Sequence, residues 1–110
     1  MSVQLYSIDQ VLSQFGGDKR FVKELLELFI EVTPEIAADL RIAVQEKDAE
    51  RIGQLAHKIK PSLQILQVRD ASSLAAEVEV SVNENRLDYS KVNELVKLIE
   101  QCVVQIKKDL

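Results

Sequence analysis

The segment Leu55-Ala56-His57-Lys58-Ile59-Lys60-Pro61-Ser62 contains the only histidine of the chain, and its pattern indicates a helix. At about 100° per residue, an apolar row runs along the side opposite the histidine, formed by Ile52, Leu55, Ile59 and Leu66. The residues that fall around the imidazole itself are Glu50, Gly53, Lys60, Pro61 and Gln64. The pattern therefore predicts a helix that buries one face and displays His57 to solvent, with a cation one turn further on.

Gly53 lies one turn before His57 and is the only glycine inside a predicted helix. A glycine here costs the helix roughly 1 kcal/mol relative to alanine. It adds no side chain beside the imidazole, so we expect that another molecule can approach His57 closely.

Composition limits the classes of function. A chain of 110 residues, 46% of them hydrophobic and 29% charged, predicts one globular domain over residues 1–110. A net charge of −4 without a basic stripe argues against a nucleic-acid partner.

No apolar run approaches the roughly 20 residues of a membrane span, and residues 1–5 lack a signal-peptide pattern. We therefore expect a cytoplasmic protein with no membrane partner.

Cys102 is the only cysteine, so the chain has neither a disulfide framework nor a cysteine set for zinc. It falls on the apolar row of the last predicted helix, which favours a buried, core position. A reactive thiol is the alternative.

The first half of the chain has a 3.6-residue apolar period. It predicts a short helix from about Ile8 to Phe15, ended by Gly16-Gly17, and a long second helix capped by Asp18. Pro34 lies within the second helix, and because the apolar row continues past it we expect a kinked but continuous helix. The predicted inner row of this helix is Phe21, Leu25, Leu28, Phe29, Val32, Ile36, Leu40 and Ala43.

The second half predicts three more helices. Asp48 caps the helix of His57, Asp70 caps the next, and Ser90 or Asp88 caps the last. The inner residues of the fourth helix are Leu74, Val78 and Val82, and those of the last are Val92, Leu95, Val96, Ile99, Cys102, Val103 and Ile106. Short polar turns between four long helices predict an all-α, antiparallel up-down-up-down four-helix bundle, with the short N-terminal helix at one end.

The third helix resembles that of histidine phosphotransfer (HPt) domains, whose hallmark reads His-x-Leu-Lys-Gly-Ser-Ser. His57, Lys60 and Ser62 match it, Ile59 replaces the leucine, and Ala56 fits the small residue before the histidine. Upstream, the second helix of that family is similar to the segments Gly17-Asp18, Leu25-Leu26-x-x-Phe29 and Pro34, and its next turn to Lys47-Asp48. The resemblance covers the chain from about Gly17 to the last helix.

The sequence departs from the HPt pattern at three places. Pro61 replaces the usual glycine, Leu63 replaces a small residue, and Gln67-Val68 replace a Gly-Ala pair. Proline at position 61 cannot donate to the carbonyl of His57 and costs a helix interior about 3 kcal/mol. We therefore expect the helix to bend or loosen near His57. Pro61 either keeps the acceptor open, as glycine does, or marks a relative that has lost transfer activity.

The resemblance implies a phosphocarrier without kinase activity. His57 would accept a phosphoryl group from an aspartate of a receiver domain and pass it to another receiver, while Lys60 neutralises phosphoryl oxygens. Gly53, Pro61, Gln64 and Gln54 would support the site. Leu12 and Lys58 would help partners to dock.

The implied partners are response-regulator receiver domains and a sensor or hybrid histidine kinase. The receiver would supply the metal, since this chain offers no metal site, no nucleotide loop and no other cofactor site. Two alternatives stay open: an adaptor bundle that binds a receiver or kinase without transferring phosphate, and a fragment of a larger hybrid kinase.

Overall fold

The computed structural model describes residues 5–110, and this range contains five α-helices and no strand. The helices are α1 (Ile8–Gln14), α2 (Lys19–Gln45), α3 (Ala49–Ile65), α4 (Arg69–Asn83) and α5 (Tyr89–Asp109). The all-α prediction is confirmed. None of these helices combines the length and the apolarity needed to cross a membrane. Residues 1–4, which carried most of the signal-peptide argument, lie outside the described range.

The four long helices form a closed ring around one apolar core. α3 packs on α4, α4 on α5, α5 on α2 and α2 on α3, and short turns reverse the chain between them. The predicted up-down-up-down bundle is therefore confirmed. The largest fully buried side chains include Leu26, Leu40, Ile52, Leu55, Ile59, Leu63, Leu95, Ile99 and Ile106.

Cys102 belongs to this core, as predicted. The residue is fully buried and unpaired. Burial raises the pKa of its thiol to about 12, so the nucleophilic thiolate is scarce at neutral pH.

The short helix α1 covers one end of the bundle and packs on α2. Val11 is buried there, and so is Tyr6 in the segment before the helix. The Tyr6 hydroxyl donates to the Asp109 carboxylate, and the Leu5 amide donates to Oε1 of Gln105 at 2.9 Å. These two hydrogen bonds tie the start of the described chain to the last turns of α5.

Aspartates are the N-cap residues of three of the long helices. Asp18 accepts from the Phe21 amide, Asp48 from the Arg51 amide and Asp88 from the Ser90 amide. Asp88 is thus the cap of α5, and Ser90 is its partner. The prediction that Asp70 caps the fourth helix is wrong, because α4 begins at Arg69 after Val68, which is buried and makes no side-chain cap bond.

The C-terminal ends of α1 to α4 share one backbone turn. In each, a residue with positive φ follows the helix, and an amide bonds back to a carbonyl five residues earlier, as from Val68 to Leu63 at 2.9 Å. Gly16 and Gly17 fill these positions after α1. After α3, however, the position is held by Gln67 at φ 56°. The glycine of the HPt pattern falls here, so the departure leaves a side chain in a conformation that glycine adopts more easily.

The predicted inner row of α2 is correct from Ile36 onward and only partly correct before it. Phe21, Leu28 and Val32 are 43%, 55% and 42% exposed. Phe29 is buried as predicted, and the prediction missed the buried residues Val22, Leu26 and Thr33. This half of α2 carries two apolar rows side by side, and the period alone does not say which one the other helices cover.

Both interior prolines lie within continuous helices. α2 runs through Pro34 as predicted, and α3 runs through Pro61 to Ile65. Pro61 is exposed. Its ring therefore faces solvent on the side of α3 that carries His57.

Candidate functional site

His57 stands on the exposed face of α3. Its side chain is 74% exposed, whereas Leu55, Ile59 and Leu63 of the same helix are buried. The arrangement follows from the helical period of the sequence, which places the imidazole opposite the apolar row. The predicted display of His57 to solvent is confirmed.

A carboxylate from α4 joins His57 to Lys60. The Nδ1 atom of His57 lies 2.7 Å from Oε2 of Glu79, and Nζ of Lys60 donates to Oε1 of the same carboxylate at 3.0 Å. An ionised carboxylate only accepts hydrogen bonds, so this contact places a proton on Nδ1. In the neutral ring, Nε2 then carries the lone pair and is free to attack an electrophile.

The charges around Glu79 keep its carboxyl ionised. The hydrogen bond from Lys60 lowers the pKa of Glu79, and the bond from His57 adds to this, against the opposing effect of partial burial. The side chain of Glu79 is 20% exposed and that of Lys60 is 25% exposed. The pair is therefore partly shielded from water beside the more exposed imidazole.

Gly53 serves the packing of α3 against α4. A Cβ atom at position 53 would lie 3.0 Å from Cγ1 of Val82. Val82 is half-buried on α4, three residues after Glu79. The absence of a side chain at Gly53 thus lets α4 approach closely enough for Glu79 to reach α3. This packing role comes in addition to the predicted open approach to His57.

The other predicted supporting residues lie on the exposed side of α3 and form no hydrogen bond to the imidazole. Gln54 lines a groove together with His57 and Glu79. Gln64 and Pro61 are exposed on the same face of α3. Within residues 5–110, the only side chain that bonds to the His57 ring is Glu79. The predicted assistance by the two glutamines stays a prediction.

The two predicted docking residues lie apart. Lys58 is exposed next to His57. Leu12 is half-buried in a shallow groove with residues of α2 and the end of α5, including Val22, Leu26 and Leu110, and no α3 residue lines it. The structure thus places Lys58 near the imidazole and does not place Leu12 there.

Glu79 is the residue that sequence reasoning missed. It follows Ala75 by four residues and precedes Val82 by three, so it belongs to the row of α4 that packs towards α3. A carboxylate in such a row needs a partner. The position of Glu79 in this row was visible in the sequence. Its contacts with His57 and Lys60, which lie on α3, were not.

No metal centre accompanies the site in the part of the chain that the structure describes. There, no three side chains among His, Cys, Asp and Glu are grouped closely enough to hold a metal ion.

Comparisons with known proteins give one family. The model of the family described as "Hpt domain" matches residues 24–108. The HPt domain of a sensor hybrid histidine kinase from Shewanella superimposes with a TM-score of 0.86 and 17% sequence identity, covering 96% of this chain and 93% of that one. Histidine-containing phosphotransfer protein B from Pseudomonas aeruginosa gives a TM-score of 0.82, 17% identity and coverage of 98% and 96%. No curated protein sequence matches significantly.

Proposed function

This chain belongs to the Hpt domain family, and from that premise we propose that it is a phosphorelay intermediate that carries its phosphoryl group on His57. The observation that supports this most is the contact between Nδ1 of His57 and the Glu79 carboxylate. In the neutral ring it leaves the lone pair on Nε2, and the side chain is 74% exposed. Family membership alone supports a role in histidine phosphotransfer. The geometry of the site supports Nε2 of His57 as the attacking atom.

The proposed step is a phosphoryl exchange between two side chains. The lone pair of Nε2 attacks the phosphorus of an aspartyl phosphate on a receiver domain. An N–P bond forms, the O–P bond breaks, and the aspartate carboxylate leaves with the electron pair. Positive charge that develops on the ring is shared through the Nδ1 proton with Glu79. The reverse attack, by another receiver's aspartate, returns the imidazole to its starting state.

Lys60 supplies the positive charge for the transferred group. It lies one turn after His57 on α3, within reach of phosphoryl oxygens bound to Nε2. Its ammonium now bonds to Glu79. The arriving phosphoryl group competes with the Glu79 carboxylate for the Lys60 ammonium group. Because the phosphoryl group carries more negative charge than the carboxylate, Lys60 shifts from Glu79 to the phosphoryl oxygens. Such charge stabilisation, together with alignment, is what phosphoryl transfer mainly requires.

The proposed partners are receiver domains and a sensor or hybrid histidine kinase, and the proposed location is the cytoplasm. The chain acts as a carrier and does not hydrolyse ATP. We propose that residues 1–110 form one HPt unit. One of the two similar structures is described as a domain of a hybrid kinase and the other as a phosphotransfer protein. Both settings are compatible with this unit.

Transfer from a phosphorylated receiver tests the function. The chain should acquire label that acid removes and alkali spares, and His57→Gln should acquire none while keeping its helical circular dichroism. Label on the His57→Gln variant would assign the acceptor elsewhere. If the receiver binds the chain but no label appears, the adaptor alternative replaces the proposal.

A further inference from the structure

A groove lies between α1, the first eight residues of α2 and the end of α5, and we define it as the terminal groove. Its apolar wall is aliphatic throughout and is formed by Ile8, Leu12, Val22, Leu26 and Leu110. The groove has a volume of about 380 Å³, and no residue of α3 lines it. A volume of this size, with mostly apolar walls and a few polar groups, is typical of sites that bind small molecules.

Two lysines stand on the α2 rim of the terminal groove. Lys19 and Lys23 both line it and are exposed, and neither forms an ion pair with a carboxylate of residues 5–110. Lys19 is the first residue of α2, where a cation opposes the helix dipole, and two lysines four positions apart repel each other. The fold therefore places two uncompensated positive charges side by side at the edge of an apolar groove.

The opposite rim carries a carboxylate that already has a partner. Asp109 of α5 lines the terminal groove and accepts a hydrogen bond from the Tyr6 hydroxyl. It forms no ion pair with Lys19 or Lys23. An anionic group that enters the groove is repelled by Asp109 and attracted by the two lysines, so the charges of the rims set the direction in which such a ligand lies.

We propose that the terminal groove binds an aliphatic carboxylate of the medium-chain fatty acid class, with the hydrocarbon chain along the apolar wall and the carboxylate at Lys19 and Lys23. Burial of the methylene groups supplies the affinity. The two lysines select a negative head group over a neutral or a positive one. The inference goes beyond the phosphorelay function and does not rest on it.

The shape of the groove distinguishes this ligand from a membrane and from a partner helix. Val22 and Leu26 are buried and Ile8 and Leu12 are half-buried, so these side chains do not project far enough to insert into a bilayer. The wall that α1 contributes runs from Ile8 to Leu12, about 6 Å at 1.5 Å per residue. A docked helix uses contacts spaced over two turns. A single acyl chain fits the short, recessed wall better than either.

Titration of the nitrogen-15-labelled chain with decanoate, kept below its micelle concentration, locates the site by NMR. We expect the largest shifts at the amides of Ile8, Leu12 and Lys23. Octanoate should bind about tenfold more weakly than decanoate, because two methylene groups are lost. Decanol, which has the same chain length and no charge, should bind about fivefold more weakly, an effect of the size that exposed ion pairs contribute.

Two double variants with equal changes in net charge test the lysines. Lys19→Gln/Lys23→Gln should weaken decanoate binding about fivefold and leave decanol binding unchanged. Lys47→Gln/Lys97→Gln, which removes two exposed lysines without carboxylate partners elsewhere in residues 5–110, should bind both ligands as the wild type does. Leu110→Gln should weaken the binding of both ligands with an unchanged Tm, because Leu110 is 46% exposed and follows the last residue of α5.

The pattern expected from these titrations supports the site, and four other results overturn it. The first is the absence of any shift with decanoate, and the second is a set of shifts centred on Leu28 and Ile65, which are exposed apolar residues outside the groove. The third is an equal loss of decanoate binding in both lysine variants. The fourth is sedimentation of the wild type, but not of Lys19→Gln/Lys23→Gln, with phosphatidylglycerol vesicles, which would assign the lysines to a membrane surface.

Discussion

Glu79 of α4 holds the ammonium group of Lys60 of α3 at 3.0 Å, and the other oxygen of the same carboxylate meets His57. A single side chain thus contacts both the imidazole, whose tautomer it sets, and the ammonium group of Lys60. Both effects come from α4, the helix that follows α3 in sequence, so the proposed chemistry requires the packing of α3 on α4.

Glu79→Gln tests this double role. The amide oxygen of the glutamine can still accept a hydrogen bond from Nδ1. The substitution, however, removes the negative charge that stabilises the ring cation and orients Lys60. We expect transfer from a phosphorylated receiver to slow by about tenfold, an effect of the size that charged hydrogen bonds contribute. Glu77→Gln is the control, since Glu77 on the same helix pairs with Lys91 away from the site. Equal slowing in both variants, or none in Glu79→Gln, would contradict the assignment.

The stability of the fold should depend on pH through Glu79. Because Lys60 and His57 lower the pKa of this carboxyl in the folded state, its contribution is present above the ordinary glutamate pKa and is lost as the pH falls through the lower, folded value. The wild type should therefore have a higher Tm than Glu79→Gln at pH 7, and the difference should shrink in acid. Thermal scans from pH 7 to pH 3 measure it, and a difference that grows in acid would refute the pairing.

Gly53→Ala tests the close approach of the two helices. Alanine gains about 1 kcal/mol in helix propensity. However, its Cβ would lie 3.0 Å from Cγ1 of Val82, a stiff β-branched side chain. We expect a net loss of about 1 kcal/mol in the free energy of unfolding. In a Val82→Ala background the same change should stabilise the protein, and chemical denaturation of the four proteins gives the coupling. Additive effects would disprove the contact.

Gln67→Gly tests the strain at the end of α3. Gln67 has φ 56°, a conformation that costs a non-glycine residue about 1 kcal/mol. Glycine removes this cost but loses the bond from Nε2 of Gln67 to Oε1 of Gln14, which is exposed and contributes little. We expect a rise of a few degrees in Tm. Gln67→Ala is the control that loses the bond and keeps the strain, so it should not stabilise the fold.

The sequence allowed much of the fold to be predicted because the relevant signals are local. Asp18 and Asp48 act on amides three residues ahead, and the display of His57 depends only on its angle from Leu55 and Ile59. The start of α4 was mispredicted because buried Val68, rather than a polar cap, fixes it. Tertiary packing decided that position.

Two features depend on other helices and could not be read from one segment. The first half of α2 has two apolar rows, and only the placement of its neighbours leaves Leu28 outside and Leu26 inside. Glu79 is separated from His57 by 22 positions, so their contact follows from the packing of α3 on α4. The structure brings the predicted residues His57 and Lys60 together, whereas the Glu79 carboxylate that contacts both was not predicted.

The proposed chemistry is tested most directly by the position of the phosphoryl group on the phosphorylated protein, read by phosphorus and nitrogen NMR after transfer from a receiver. The contact of Glu79 with Nδ1 predicts a single product, with the phosphoryl group on Nε2 of His57 and a proton retained on Nδ1. A phosphoryl group on Nδ1, on any other residue, or on none would contradict it.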